Sequence, residues 1–344
     1  MNSKNKHEFE QFSVPAPVVE PQHLVYATDR LNRFGSQAAR RLIRNETAAA
    51  AGLETYDYAE LGKLYERYLG VCDVYSPDEA KAMADELRTF RKSPNRKVMI
   101  GVMTHPLVLS DDLPVPQGVR DSIRKEFPSR EEMATGFIDD PDVFNTVHYA
   151  DLYGPKGPWG AQETPDVFKN LELVVEHGGE NLHAIQLDLT WPKPSELEKF
   201  KDKYPDITII LQVGKYAFAE ADNNQQSVVE RLREYGETVD FSLLDMSMGM
   251  GSGMEAGTLL PMLETIKSQL PDLGLAVAGG LGPESVNLLL PIAKEFPDIS
   301  IDAQGNLKHK DAPRDVNNHL IATIPADLDR SFDYIRKTCE ILDN

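Results

Sequence analysis

Cysteine is nearly absent from this 344-residue chain, which holds only Cys72 and Cys339. Two cysteines build no disulfide framework, and neither sits in a CxxC or Cys/His spacing, so a cysteine that matters must act as a single thiol. Positive charge is also scarce. The 36 Lys and Arg stand against 55 Asp and Glu, a formal net charge of −19. Nucleic-acid binding is disfavoured, because a phosphate-backbone reader needs a positive stripe and none is present. The same charge opposes an anionic membrane surface. No apolar run approaches the roughly 18 residues needed to span a bilayer, and the opening MNSKNKHEFE has no signal-peptide core. The expectation is a soluble, cytoplasmic protein. What remains is an ordinary globular balance, 41% hydrophobic and 26% charged, with length enough for one large α/β barrel or two medium domains.

Residues 1 to about 22 are polar and then rich in Pro and Val, and read as an extended arm. Helices are expected over 28–51, capped by Thr28 and stopped by Gly52, and over Tyr56–Leu69. From Gly70 the pattern becomes regular. Eight short apolar runs occur at 69–75, 97–104, 143–151, 182–189, 207–213, 240–246, 274–280 and 298–304. Each of the first seven precedes a helix-compatible stretch, and a last helix fits Leu328–Leu342. Eight β units with their helices over residues 70–344 match an α/β fold of the (β/α)8 TIM-barrel type behind an N-terminal helical extension, 1–69. An open doubly wound sheet fits less well, since no glycine fingerprint follows the first run. The long connections 105–142 and 305–327 both leave C-terminal strand ends, where barrel enzymes build their sites.

Polar residues mark those same ends: Cys72 with Asp73, His105, His148 with Asp151, Asp188, Gln212 with Lys215, Asp245, and Asp302 with Gln304. A ring of titratable strand ends is what barrel catalysis requires, whereas strands meant only for packing would end as they began. Ser76, Pro77 and Glu79 read as a capped helix start directly after Cys72. Asp245 closes the apolar FSLLD, an expensive place for an unused carboxylate. Two glycine-rich turns, MGMGSGMEAG with Gly251 and Gly253 and AVAGGLGPESV with Gly279 and Gly280, suggest an anion cradle, the second leading into a helix that starts near Pro283. Methionines 246, 248, 250 and 254 read as pocket and core lining.

These residues suggest a family. VCDVYSPDEA resembles the first strand and helix of the phosphoribosylanthranilate isomerases, whose opening reads approximately ICGITnpEDA. AIQLD at 184–188, SLLDM at 242–246, AVAGGLGPESV at 276–286 and IDAQG at 301–305 are similar to the fourth-, sixth-, seventh- and eighth-strand motifs of that group. The resemblance covers 70 to about 307. It implies a phosphate-binding TIM barrel performing an Amadori-type isomerisation of a phosphorylated aminoaldose, with Cys72 as general base and Asp245 as general acid. Phosphate would sit at Gly251, Gly253, Gly279, Gly280, Gln304 and Gly305. Asp73, Gly70, Ala303, Gln304 and Leu307 depart from the family pattern, and an arginine is missing after the second strand. The implied substrate is therefore a different small phosphorylated or otherwise anionic metabolite, contacted by His148, Asp188, Gln212, Lys215 and Asp302. Lys215 could instead form a Schiff base, making the protein a lyase or aldolase. A third reading is a catalytically inactive barrel serving binding or assembly. Asp188, Asp245 and Asp302 could also share a divalent cation, but the pattern as a whole is read as free of metal and cofactor. Barrels of this group are monomers or homodimers.

Overall fold

A computed structural model describes residues 67–93, 96–113, 115–151, 166–189, 191–245, 256–314 and 321–343. The expected arm and the bulk of the helical extension, the glycine turn with Gly251 and Gly253, and the four methionines lie outside them.

Eight parallel strands close into a barrel in chain order: β1 Arg67–Cys72, β2 Arg96–Thr104, β3 Val143–Asp151, β4 Ala184–Leu189, β5 Thr208–Val213, β6 Phe241–Asp245, β7 Gly274–Ala278 and β8 Ser300–Ala303. Closure is direct, since β1 pairs with β2 through Cys72↔Gly101 and with β8 through Val71↔Ala303. The strands read as apolar runs because both faces are buried, one against helices and one inside the barrel. The (β/α)8 fold expected from the pattern is the fold observed. One boundary differs: residues 67–69, the expected end of the second preface helix, begin β1 instead. Tyr68 points into the barrel there, stacked on Phe144 at 5.9 Å and edge-on to Phe241 at 5.6 Å. Burial of rings of that size, at about 25 cal/mol per Å² of apolar surface, favours strand over an exposed helix end.

The inward core closes the N-terminal end with Tyr68, Met99, Phe144, Ala184, Ile210 and Phe241. Alternation then carries Cys72, His148, Asp188, Asp245 and Asp302 inward at the opposite end. Outside, Pro77–Phe90 starts as the sequence suggests, with Ser76 Oγ accepting from Glu79 N at 3.4 Å. The helix Leu328–Leu342 lies where expected, capped by Asp327, which accepts from Arg330 N at 2.9 Å. The stretch after β7 does not form the single helix expected from Pro283. A 3-10 turn, Val286–Leu289, leads into a six-residue helix, Leu290–Glu295, because Pro291 lacks an N–H and fits only a first helical turn. His105, one of the marked strand ends, faces away from the centre and caps Pro106–Leu109, its Nδ1 accepting from Leu107 N at 3.0 Å.

Candidate active site

Five side chains from four strands converge at the C-terminal end of the barrel. Cys72 from β1 donates its S–H to Asp302 Oδ1 of β8 at 3.2 Å. His148 from β3 places its ring nitrogens 3.7 and 3.8 Å from Cys72 Sγ. Gln186 from β4 reaches His148 Nδ1 at 3.0 Å and donates to Asp302 Oδ2 at 3.3 Å. Asp188, two residues further along β4, brings Oδ2 to 4.0 Å from His148 Nδ1, while Asp302 Oδ2 lies 3.9 Å from the same nitrogen. None of the five is more than 8% exposed.

Two glycines make room for this group. A Cβ at Gly101 would lie 2.7 Å from His148 Nε2 and 2.9 Å from Cys72 Sγ, and one at Gly70 would overlap Asp302 Oδ1. Glycine inside a strand weakens it, and here its return is space where three side chains meet.

Burial sets the charges. Desolvation, then Asp302, pushes the Asp188 carboxyl well above the ordinary carboxylate range. Desolvation holds the His148 imidazole below its usual value despite the neighbouring carboxylates, so that it stays neutral. The Cys72 thiol is pushed up by burial first, then by Asp302 and Asp73. This runs against the thiolate implied by the resemblance: without a cation nearby, Cys72 is a thiol that donates to Asp302.

Other expected residues take different places. Asp245 on β6 accepts from Gln212 Nε2 of β5 at 3.2 Å and is close enough to Asp188 to raise it electrostatically. Lys215 stands apart, exposed at the first position of the helix Lys215–Glu220 after β5 has ended. A Schiff-base lysine needs a desolvated amine facing the reacting carbonyl, and this exposed position does not provide one. Gln304 turns toward Asp73 and donates to its Oδ2 at 3.0 Å, which commits its amide to the protein. Lys308 completes that arrangement with Nζ 2.9 Å from Asp73 Oδ2. Asp73 adopts φ 66°, in the left-handed region, which turns its carboxylate away from the cluster and toward Lys308. Gly279 (φ 126°) and Gly280 (φ 64°) shape the turn after β7, where the Gly280 carbonyl accepts from Ser285 Oγ at 2.6 Å and Asn306 Nδ2 at 2.7 Å. Gly305 lines a cavity of about 420 Å³ with Ser285, Lys308, Lys310, Arg314 and Arg330 among its walls. That cavity opens three residues beyond Asp302 and collects basic side chains in a chain of net charge −19.

Gln186, Gly70, Gly101 and Lys308 were not singled out as site residues by sequence. The mid-strand glycines carried a usable signal, since glycine inside a buried strand marks a close approach. Gln186 lies inside AIQLD, which was noted only as a resemblance.

The sequence matches no family model and no curated protein. Among solved structures, the tryptophan synthase alpha subunit of Legionella pneumophila str. Paris aligns over 83% of this chain and 96% of its own, at 14% identity and a TM-score of 0.45. At that level the similarity concerns the barrel fold alone, which the closed strand order establishes independently.

Proposed function

We propose that this barrel is an enzyme that isomerises a small anionic, sugar-like metabolite by proton transfer at the C-terminal cluster. The observation that carries the reading is the opposed poise of two neighbouring groups. Burial raises the Asp188 carboxyl and lowers the His148 imidazole, with Oδ2 and Nδ1 4.0 Å apart. A general acid and a general base whose environments drive them in opposite directions are the parts an enolisation needs. In this reading His148 takes the proton from the carbon beside a carbonyl or imine, and Asp188 protonates the oxygen that opens or forms. Asp245, held by Gln212, is the second carboxyl facing the substrate. Cys72 and Asp302 fix the imidazole from the β1–β8 side. The chemistry is of the class implied by the resemblance to the phosphoribosylanthranilate isomerases, with the base moved from Cys72 to its neighbour.

The basic cavity beside Gly305 favours an anionic substrate. Arg330 grips Glu284 with two nitrogens, at 2.8 and 2.6 Å, and Lys310 Nζ lies 3.3 Å from the same carboxylate. A phosphate entering there would compete with Glu284 for these bases.

The test uses the full chain in D2O with a panel of phosphorylated hydroxyaldehydes, hydroxyketones and aminoaldoses, followed by proton NMR. Deuterium should enter next to the carbonyl of at least one compound, and Asp188→Asn and His148→Gln should each slow that exchange by about 100-fold or more. No exchange across the panel, or exchange that survives both substitutions, contradicts the reading.

A further inference from the structure

We propose that Cys72, His148 and Asp302 form a binding site for one divalent transition-metal ion of the zinc class. The inference stands on the same side chains as the proposed chemistry but does not rest on it: the proton transfer belongs to the metal-free chain, since a metal-bound His148 has no lone pair left to take a proton.

Geometry comes first. One donor atom from each residue lies within 4.8 Å of the other two, and all three residues are buried. Cys72 Sγ lies 3.2 Å from Asp302 Oδ1 and 3.7 Å from His148 Nε2. Ligands bound tetrahedrally to zinc at about 2.0–2.3 Å lie roughly 3.3–3.6 Å from one another, close to both sulfur separations here. The three come from β1, β3 and β8, and Gly70 and Gly101 leave open the space where they meet. A Cβ at Gly101 would press on two of the three ligands.

Unmet polar capacity surrounds the triad. Among the described residues, Gln186 Oε1 and Asp188 Oδ1 are buried without a hydrogen-bond partner. Their residues are 2% and 8% exposed, and each reaches His148 with its other polar atom. A metal-bound imidazole usually donates its second ring N–H to a neighbouring acceptor, and a 180° turn of the Gln186 amide would offer Oε1 for that purpose.

Charge points the same way. Within 4 Å of Asp188 or Asp302, His148 is the one described group able to carry positive charge. A divalent ion with one thiolate, one carboxylate and one neutral imidazole makes a centre of zero net charge. Binding breaks the Cys72 S–H bond and forms the sulfur–metal bond, and the proton leaves to solvent. The mixed sulfur, nitrogen and oxygen set suits zinc or cobalt better than magnesium or calcium, which prefer oxygen alone. The spacing escaped the sequence reading because Cys72 and Asp302 are 230 residues apart and meet only through barrel closure.

The experiment titrates Co2+ into the full chain after chelator treatment, under reducing conditions without oxygen. The expected result is saturation at one equivalent with a near-ultraviolet sulfur-to-cobalt charge-transfer band. With only two cysteines in the chain, the band should persist in Cys339→Ser and vanish in Cys72→Ser. Gln186→Leu should weaken binding by about 10- to 100-fold. Absence of the band in the unsubstituted protein, its loss in folded Cys339→Ser, or its survival in Cys72→Ser each overturns the site. Should Cys72→Ser fail to fold, the unsubstituted protein and Cys339→Ser decide alone. With exchange read on the chelator-treated chain and the band on the cobalt-loaded one, a band without deuterium exchange refutes the functional reading only, and exchange without a band refutes the metal only.

Discussion

Replacing Gly101 by alanine tests the packing on which the site depends. The added methyl would lie 2.7 Å from His148 Nε2 and 2.9 Å from Cys72 Sγ, and both neighbours are buried at 2% exposure or less. Overpacking of this kind costs about 1–3 kcal/mol, while the stiffer unfolded chain returns about 0.4–1 kcal/mol. A net loss of about 1–2 kcal/mol should lower the melting temperature by roughly 2–8 °C. Gly257→Ala is the matched control. Its added methyl meets nothing within 4 Å, and the residue lies in the helix Ala256–Gln269, so the same change should be neutral or stabilising there. Both variants would be melted by calorimetry and assayed for cobalt binding and deuterium exchange. Gly101→Ala should lose stability and the site's activities together, and Gly257→Ala neither. A Gly101→Ala protein as stable and as competent as the unsubstituted chain would refute the idea that this glycine holds the cluster open.

Two further outcomes follow from buried charge. Burial drives His105 down to about 3, so its contribution to stability is present above its unfolded value of about 6.5 and is lost as pH falls toward 3. Between pH 7 and pH 4 the unsubstituted protein should lose about 3 kcal/mol more than His105→Asn, which keeps the helix cap without the titration; parallel urea-unfolding curves would contradict this. Lys308→Met leaves Asp73, 0% exposed, without its ammonium partner and should cost about 3–5 kcal/mol, with partial recovery in the Asp73→Asn/Lys308→Met double variant. Equal stabilities of the single and double variants would remove the ion pair from the account.

The barrel was legible because a parallel strand buried on both faces leaves a continuous apolar run, and eight runs at near-regular spacing permit few architectures. The final helix was readable to its ends because Asp327 caps it and its apolar face repeats at helical spacing. Cys72, His148, Asp188 and Asp302 were found as polar endings of those runs. Their grouping was not, because it depends on strand register and on closure of β8 against β1. Lys215 shows the limit of that rule. It follows β5 as Asp188 ends β4, yet the strand has already finished at Val213 and the side chain faces solvent. Asp73 was noted only as a polar strand end and a departure from the family pattern; a left-handed backbone pairs it with Lys308, and its charge still raises the Cys72 thiol. Neither the positive φ nor a partner 235 residues away is written in local sequence.

The central claim is that the cluster keeps a protonated carboxyl beside a neutral imidazole. The most direct measurement is carbon NMR of metal-free protein labelled with carboxyl-13C aspartate, titrated through neutral pH. The account predicts one aspartate signal that stays at the protonated position at pH 7 and disappears in Asp188→Asn. A spectrum in which every aspartate is ionised at pH 7 would contradict it.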